Sequence, residues 1–93
     1  MEKVFEWNQE KNQKLIKERG ISFEAVVSSI ETESLVGIAR GNGKFKDQKR
    51  FIVEVRGYIY IVPFVEDLDK IFLKTIIPSR KLTKKYLAGG DPT

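Results

Sequence analysis

The chain has 93 residues, 41% of them hydrophobic, and carries 17 Lys and Arg against 13 Asp and Glu for a net charge of +4. That size supports one domain, residues 1–93, near the lower limit for a self-sufficient core, and leaves no room for a second. With neither Cys nor His, disulfides and thiolate metal sites are excluded and the commonest general base is missing. No cofactor is expected, and a metal would need clustered carboxylates that the sequence does not offer.

Val4-Phe5-Glu6-Trp7 reads as a first strand, and Asn8 as the N-cap of a helix from Gln9 to about Glu18. Its apolar stripe is thin, Leu15 and Ile16, which places the helix at the surface. Gly20 ends it. Ser22 caps a second helix, in which Phe23, Val26, Val27 and Ile30 fall at i, i+3, i+4 and i+7 on one buried face. Residues 31–49 read as a mobile basic loop, within which Leu35 to Ala39 has the composition of a strand.

From Arg50 the period becomes two, with Phe51, Val53 and Val55 on one side and Ile52, Glu54 and Arg56 on the other. Arg56-Gly57 is a short turn into Tyr58–Val65, apolar on both faces and therefore central, with Pro63 implying a bulge or local edge. Glu66-Asp67-Leu68-Asp69 is the next turn, and Ile71 to Ile77 the last strand. After Pro78, Ser79 caps a final helix with Leu82 and Tyr86 inward and Lys81, Lys84 and Lys85 outward. Gly89-Gly90 ends it, giving an ordered core of about 3–88 with a frayed tail. The expected class is α+β: two N-terminal helices, a small antiparallel sheet and one C-terminal helix.

No stretch approaches the roughly 18 to 20 apolar residues of a membrane span. Nor does an apolar run of the signal-peptide kind follow Met1-Glu2-Lys3-Val4. The expectation is a cytoplasmic protein without a membrane partner. Charge is segregated along the chain. Arg40, Lys44, Lys46, Lys49 and Arg50 face only Asp47 in their stretch, and Lys70, Lys74, Arg80, Lys81, Lys84 and Lys85 occupy a stretch without acids. Two basic blocks suit a polyanion or an acidic protein, since clustered cations neutralise phosphates and release counterions; a solvated basic face is the alternative.

Two separated segments resemble the BrnT-type toxins in order and spacing, over residues 4–87. One is Phe5-Glu6-Trp7-Asn8-Gln9-Glu10-Lys11-Asn12 running into Arg19-Gly20-Ile21-Ser22-Phe23-Glu24-Ala25; the other is Phe72-Leu73-Lys74-Thr75-Ile76-Ile77-Pro78-Ser79-Arg80-Lys81. The resemblance implies a RelE-like single domain that cleaves RNA without a metal. It also implies neutralisation by an antitoxin encoded nearby, which alone contacts operator DNA, and a hetero-oligomer of the two. Two departures stand out. Glu18-Arg19-Gly20-Ile21 puts Arg19 where the family commonly has histidine, and Pro78-Ser79-Arg80 replaces a Ser-Ala-Arg stretch while keeping its serine and arginine.

Cleavage of RNA by its own 2′-hydroxyl builds charge on the phosphoryl oxygens, where a positioned arginine matches the phosphate. Arg80 stands at a strand-to-helix junction beside N–H groups that favour anions; its alternative is a guanidinium satisfying local carbonyls. Arg50 opens a strand, either as a second phosphate contact or as an edge charge that discourages strand pairing. Without histidine, proton transfer falls to Glu54 or Tyr86, although Glu54 can instead pair with Arg56 and Tyr86 can stack or pack. Arg19, Lys74, Lys81, Lys84, Lys85, Lys44, Lys46 and Lys49 are the candidate RNA contacts. Gly41-Asn42-Gly43-Lys44 is no phosphate loop, because Phe45 follows in place of Ser or Thr. Tyr58 and Tyr60 alternate with isoleucines as in a packed strand.

The expectation is an endoribonuclease toxin that stops translation and growth. The alternative is a non-catalytic module that binds RNA or protein through a basic surface.

Overall fold

The computed structural model describes residues 4–32, 35–40 and 48–88. The chain is α+β. The N-terminal third follows its capping chemistry closely. Strand β1 (Val4–Trp7) leads into Asn8, whose side chain accepts a hydrogen bond from the Lys11 N–H at 2.9 Å and starts α1 (Gln9–Arg19). Gly20, at φ 69°, closes α1 in the left-handed conformation with its N–H on the Ile16 carbonyl. Ser22 caps α2 (Phe23–Glu31) through the Ala25 N–H.

The sheet then runs β2 (Leu35–Arg40), β3 (Lys49–Val55), β4 (Tyr58–Glu66), β5 (Lys70–Leu73) and β6 (Ile77–Pro78). The spatial order is β1-β5-β4-β3-β2, with β6 beside the first half of β4. Pairings among β2 to β6 are antiparallel, whereas β1 lies parallel to β5 at one edge. The sheet is therefore mixed and six-stranded, larger than the antiparallel meander expected from period alone. The parallel edge joins segments more than sixty residues apart, beyond the reach of local pattern. The supposed loop at 31–49 also shrinks, since Leu35–Arg40 is a strand paired to β3; residues 41–47 lie outside the described residues.

One face of the sheet carries α1 and α2. Phe23, Val26 and Leu15 from the helices meet Phe51, Val53, Val55, Val62, Phe64 and Leu73 from the strands and Ile76 from the bend before β6. Phe51 and Phe64 stack with centroids 4.0 Å apart, and Trp7 stacks on Phe23 at 5.7 Å. Of α1's expected stripe, Leu15 is buried but Ile16 is exposed. Asn12 takes the second buried place.

The last strand is broken rather than continuous. Pro63 is registered with Arg50 on β3, and its carbonyl points the other way to accept the Lys74 N–H at 2.9 Å. A residue's N–H and C=O lie on the same side of a strand, so the donor that proline lacks would have faced the gap between β5 and β6. Proline is tolerated in a central strand because its second neighbour is interrupted there.

The C-terminal segment begins as α3 (Arg80–Thr83), capped by Ser79 through the Leu82 N–H, and continues as a π turn (Lys84–Ala88). Tyr86, expected inward, is 46% exposed. The wider winding explains the change, because i→i+5 bonding brings residue 87 rather than 86 above residue 82. Leu82 and Leu87 are accordingly the half-buried pair.

Candidate functional site

The strand registers fix which side chains share the face away from α1 and α2. Across it run four rows about 6.7 Å apart, two residues of strand rise. The first contains Glu6, Phe72 and Val65, and the second Ala39, Arg50 and Pro63, with Lys74 bonded to the far side of Pro63. A third contains Gly37, Ile52, Ile61 and Ile77, and the fourth pairs Glu54 with Ile59. An antiparallel sheet with one wetted face ordinarily alternates apolar and polar residues, but here the outward positions are largely apolar. Val65, Phe72 and Ile77 are 47%, 38% and 43% exposed.

The fourth row lies under α3. The Ile59 carbonyl accepts the Ser79 N–H at 2.9 Å, and the Ile59 N–H donates to Thr83 Oγ1, also at 2.9 Å. Thr83 in turn donates to the Ser79 carbonyl at 2.7 Å. Ile59 is wholly buried there, outside the main core. Both its backbone groups point to α3, which makes Glu54–Ile59 a non-hydrogen-bonded pair with Cα atoms about 4.5 Å apart. Arg80 follows Ser79 directly. Glu54 and Ser79, the residue before Arg80, thus lie on either side of Ile59, their Cα atoms roughly 10 Å apart by strand spacing. Among the described residues Glu54 makes no ion pair, with Arg56 or with any other cation. Arg56 is instead in the hairpin turn.

Arg50 is half-buried on the same face, but four residues along β3 from Glu54, about 13 Å away. The face therefore has two poles. Arg50, beside the Pro63 whose carbonyl takes the Lys74 N–H, marks one; Glu54, across Ile59 from the Ser79 that precedes Arg80, marks the other. The isoleucine row separates them.

Other expected contacts do not join this group. Lys49 faces the opposite side and is held by Glu66 at 3.0 Å. Arg19 donates from Nη1 to the Ile76 carbonyl at 2.7 Å, tying the end of α1 to the bend before β6. Lys84 and Lys85 are exposed on the π turn, where the Lys85 Nζ lies 5.5 Å from the Tyr86 ring centroid. Lys44 and Lys46 lie outside the described residues.

Two structurally important residues, only the first of them at this site, escaped the sequence reading. Thr83 holds α3 on the sheet, and no pattern distinguishes it from any threonine in a helix. Asn12 was more legible, because Asn12, Leu15 and Arg19 fall at i, i+3 and i+7 on one side of α1. Comparison with protein-family models, curated proteins and solved structures finds no match.

Proposed function

We propose that the chain is a metal-independent endoribonuclease with a RelE-like fold, a toxin of the BrnT type held in check by an antitoxin encoded nearby. The observation that carries the reading is the approach of Glu54 and the start of α3, with Arg80, from either side of Ile59, with Arg50 on the same face as Glu54. In this reading Glu54 takes the proton of a ribose 2′-hydroxyl as it attacks the adjacent phosphorus. Arg80 neutralises the charge that develops on the phosphoryl oxygens, and the departing 5′-oxygen takes its proton from solvent. Arg50 and Lys74 hold a neighbouring phosphate, and the exposed apolar row accommodates unstacked bases. The antitoxin would silence the enzyme by covering this face, and any contact with operator DNA would be the antitoxin's own.

The exposed apolar row also supports a second reading, a binding module without turnover. Labelled single-stranded RNA incubated with partner-free protein in excess chelator separates the two. Cleavage that Arg80→Ala slows by about 10²- to 10³-fold, with RNA affinity reduced much less, supports the nuclease. Salt-sensitive binding without cleavage supports the module.

A further inference from the structure

The opposite face, which carries α1 and α2, holds a second feature toward the β2 edge of the sheet. A trough of about 290 Å³ lies there, lined by Ile38 and Arg40 of β2, Lys49 and Phe51 of β3, Phe64 and Glu66 of β4, and Ile71 of β5. Its floor is apolar and aromatic. Its rim carries Arg40 and Lys49 against Glu66, and Lys49 is already bound to Glu66 at 3.0 Å. Arg40 has no ion pair among the described residues, so the uncompensated charge of the trough is positive.

The trough opens at β2, an edge of the sheet. Among the described residues nothing pairs with the outer side of this strand. Ile38 is 58% exposed. From Gly37 to Arg40 the common protections of an edge are few: the strand has no proline and a single charge at its end, and its one irregularity, between Leu35 and Gly37, lies at the start. The hollow beside the other edge, β1, shows no such excess, since its one charged residue, Glu6, is paired with Lys70 at 3.7 Å.

We infer that β2 and the adjoining trough dock an extended, acidic segment of a partner protein, which adds a strand antiparallel or parallel to β2 and sets an apolar side chain over Ile38 and Phe51. Main-chain pairing supplies binding, alternate side chains enter the trough, and carboxylates of the segment meet Arg40. This surface is on the other face from Glu54, so the inference does not rest on the cleavage reading. Either can fail without the other.

The probe is a fluorescein-labelled peptide of about ten residues, alternating Glu and Val around a central Phe, with a second version bearing Lys for Glu. Fluorescence anisotropy reads binding to the full chain. The acidic peptide is expected to bind at least roughly tenfold more tightly than the basic one. Arg40→Glu should remove that preference, while Lys14→Glu, the same charge change on the outer side of α1, should leave it. N-methylation at odd or at even positions of the peptide separates strand addition from simple charge attraction, because one set should abolish binding and the other should not. Circular dichroism of both variants checks that they remain folded. Equal tolerance of both methylation patterns would overturn the inference, as would equal losses in Arg40→Glu and Lys14→Glu. Binding of 2-naphthoate in the trough with no binding of the peptide would overturn it too.

Discussion

Asn12 spends both ends of its amide on α2: its Oδ1 accepts the Phe23 N–H at 2.8 Å and its Nδ2 donates to Glu24 Oε1 at 2.8 Å. With only 1% of its surface exposed, it satisfies a helix-terminal donor that Ser22 does not reach. Asn12→Ala should destabilise the protein by about 2 to 3 kcal/mol, measured by denaturant unfolding followed on Trp7, the chain's one tryptophan. Asn12→Asp should destabilise as well, since it loses the donor and sets a second carboxylate beside Glu24. The hairpin turn is the other local pressure point. Arg56 and Gly57 both have positive φ, 54° and 78°, the primed geometry that matches strand twist. Arginine resists that conformation, and Arg56→Asn should raise stability by about 0.5 to 1 kcal/mol, seen as a higher Tm. The turn was legible from Arg56-Gly57 between two alternating runs, and the caps at Asn8, Ser22 and Ser79 from side-chain chemistry. The second role of Asn12 was not, because it depends on how α1 crosses α2.

At the scale of elements, the C-terminal segment decides whether a site exists. Thr83 joins α3 to β4 by accepting the Ile59 N–H, while its own hydroxyl donates to the Ser79 carbonyl, and without it the Ile59 N–H is buried unpaired. Thr83→Val keeps the shape and removes those bonds. It should cost about 1 to 3 kcal/mol and raise hydrogen exchange across residues 79–88 selectively. If Thr83 only supported the core, exchange would rise across the sheet alike. Under the cleavage reading the same variant should slow turnover while sparing the RNA contacts at Arg50 and Lys74. The break between β5 and β6 shows where sequence patterns stop. Ile71 to Ile77 reads as one apolar run, yet Lys74 bonds Pro63 and Ile76 turns into the core with its carbonyl on Arg19. Arg19→Ala should therefore lower stability by about 1 kcal/mol whether or not RNA is present, a structural debt separate from any phosphate contact.

Across the whole molecule, the sheet sorts the two basic blocks differently from the sequence. Arg40 and Lys49 look to one side and Arg50 to the other, so the first block is divided between faces. Alternation along β3 foretold that division; the approach of Glu54 and the start of α3 to Ile59 did not follow from any local period, because it needs the C-terminal segment folded back over β4. Under the cleavage reading, Arg50, Lys74, Arg80 and Lys81 engaging four phosphates of single-stranded RNA would make log K fall with log salt at a slope of about −3. A slope close to zero would point to an apolar protein partner there instead. The central claim is that Glu54 and Arg80 act on one reacting phosphate, and a double-mutant cycle on the single-turnover cleavage rate tests it most directly. Groups that work as a unit are strongly non-additive, so Glu54→Gln with Arg80→Ala should be little slower than the worse single variant. Losses that multiply, or a Glu54→Gln rate equal to that of the parent, would contradict the account.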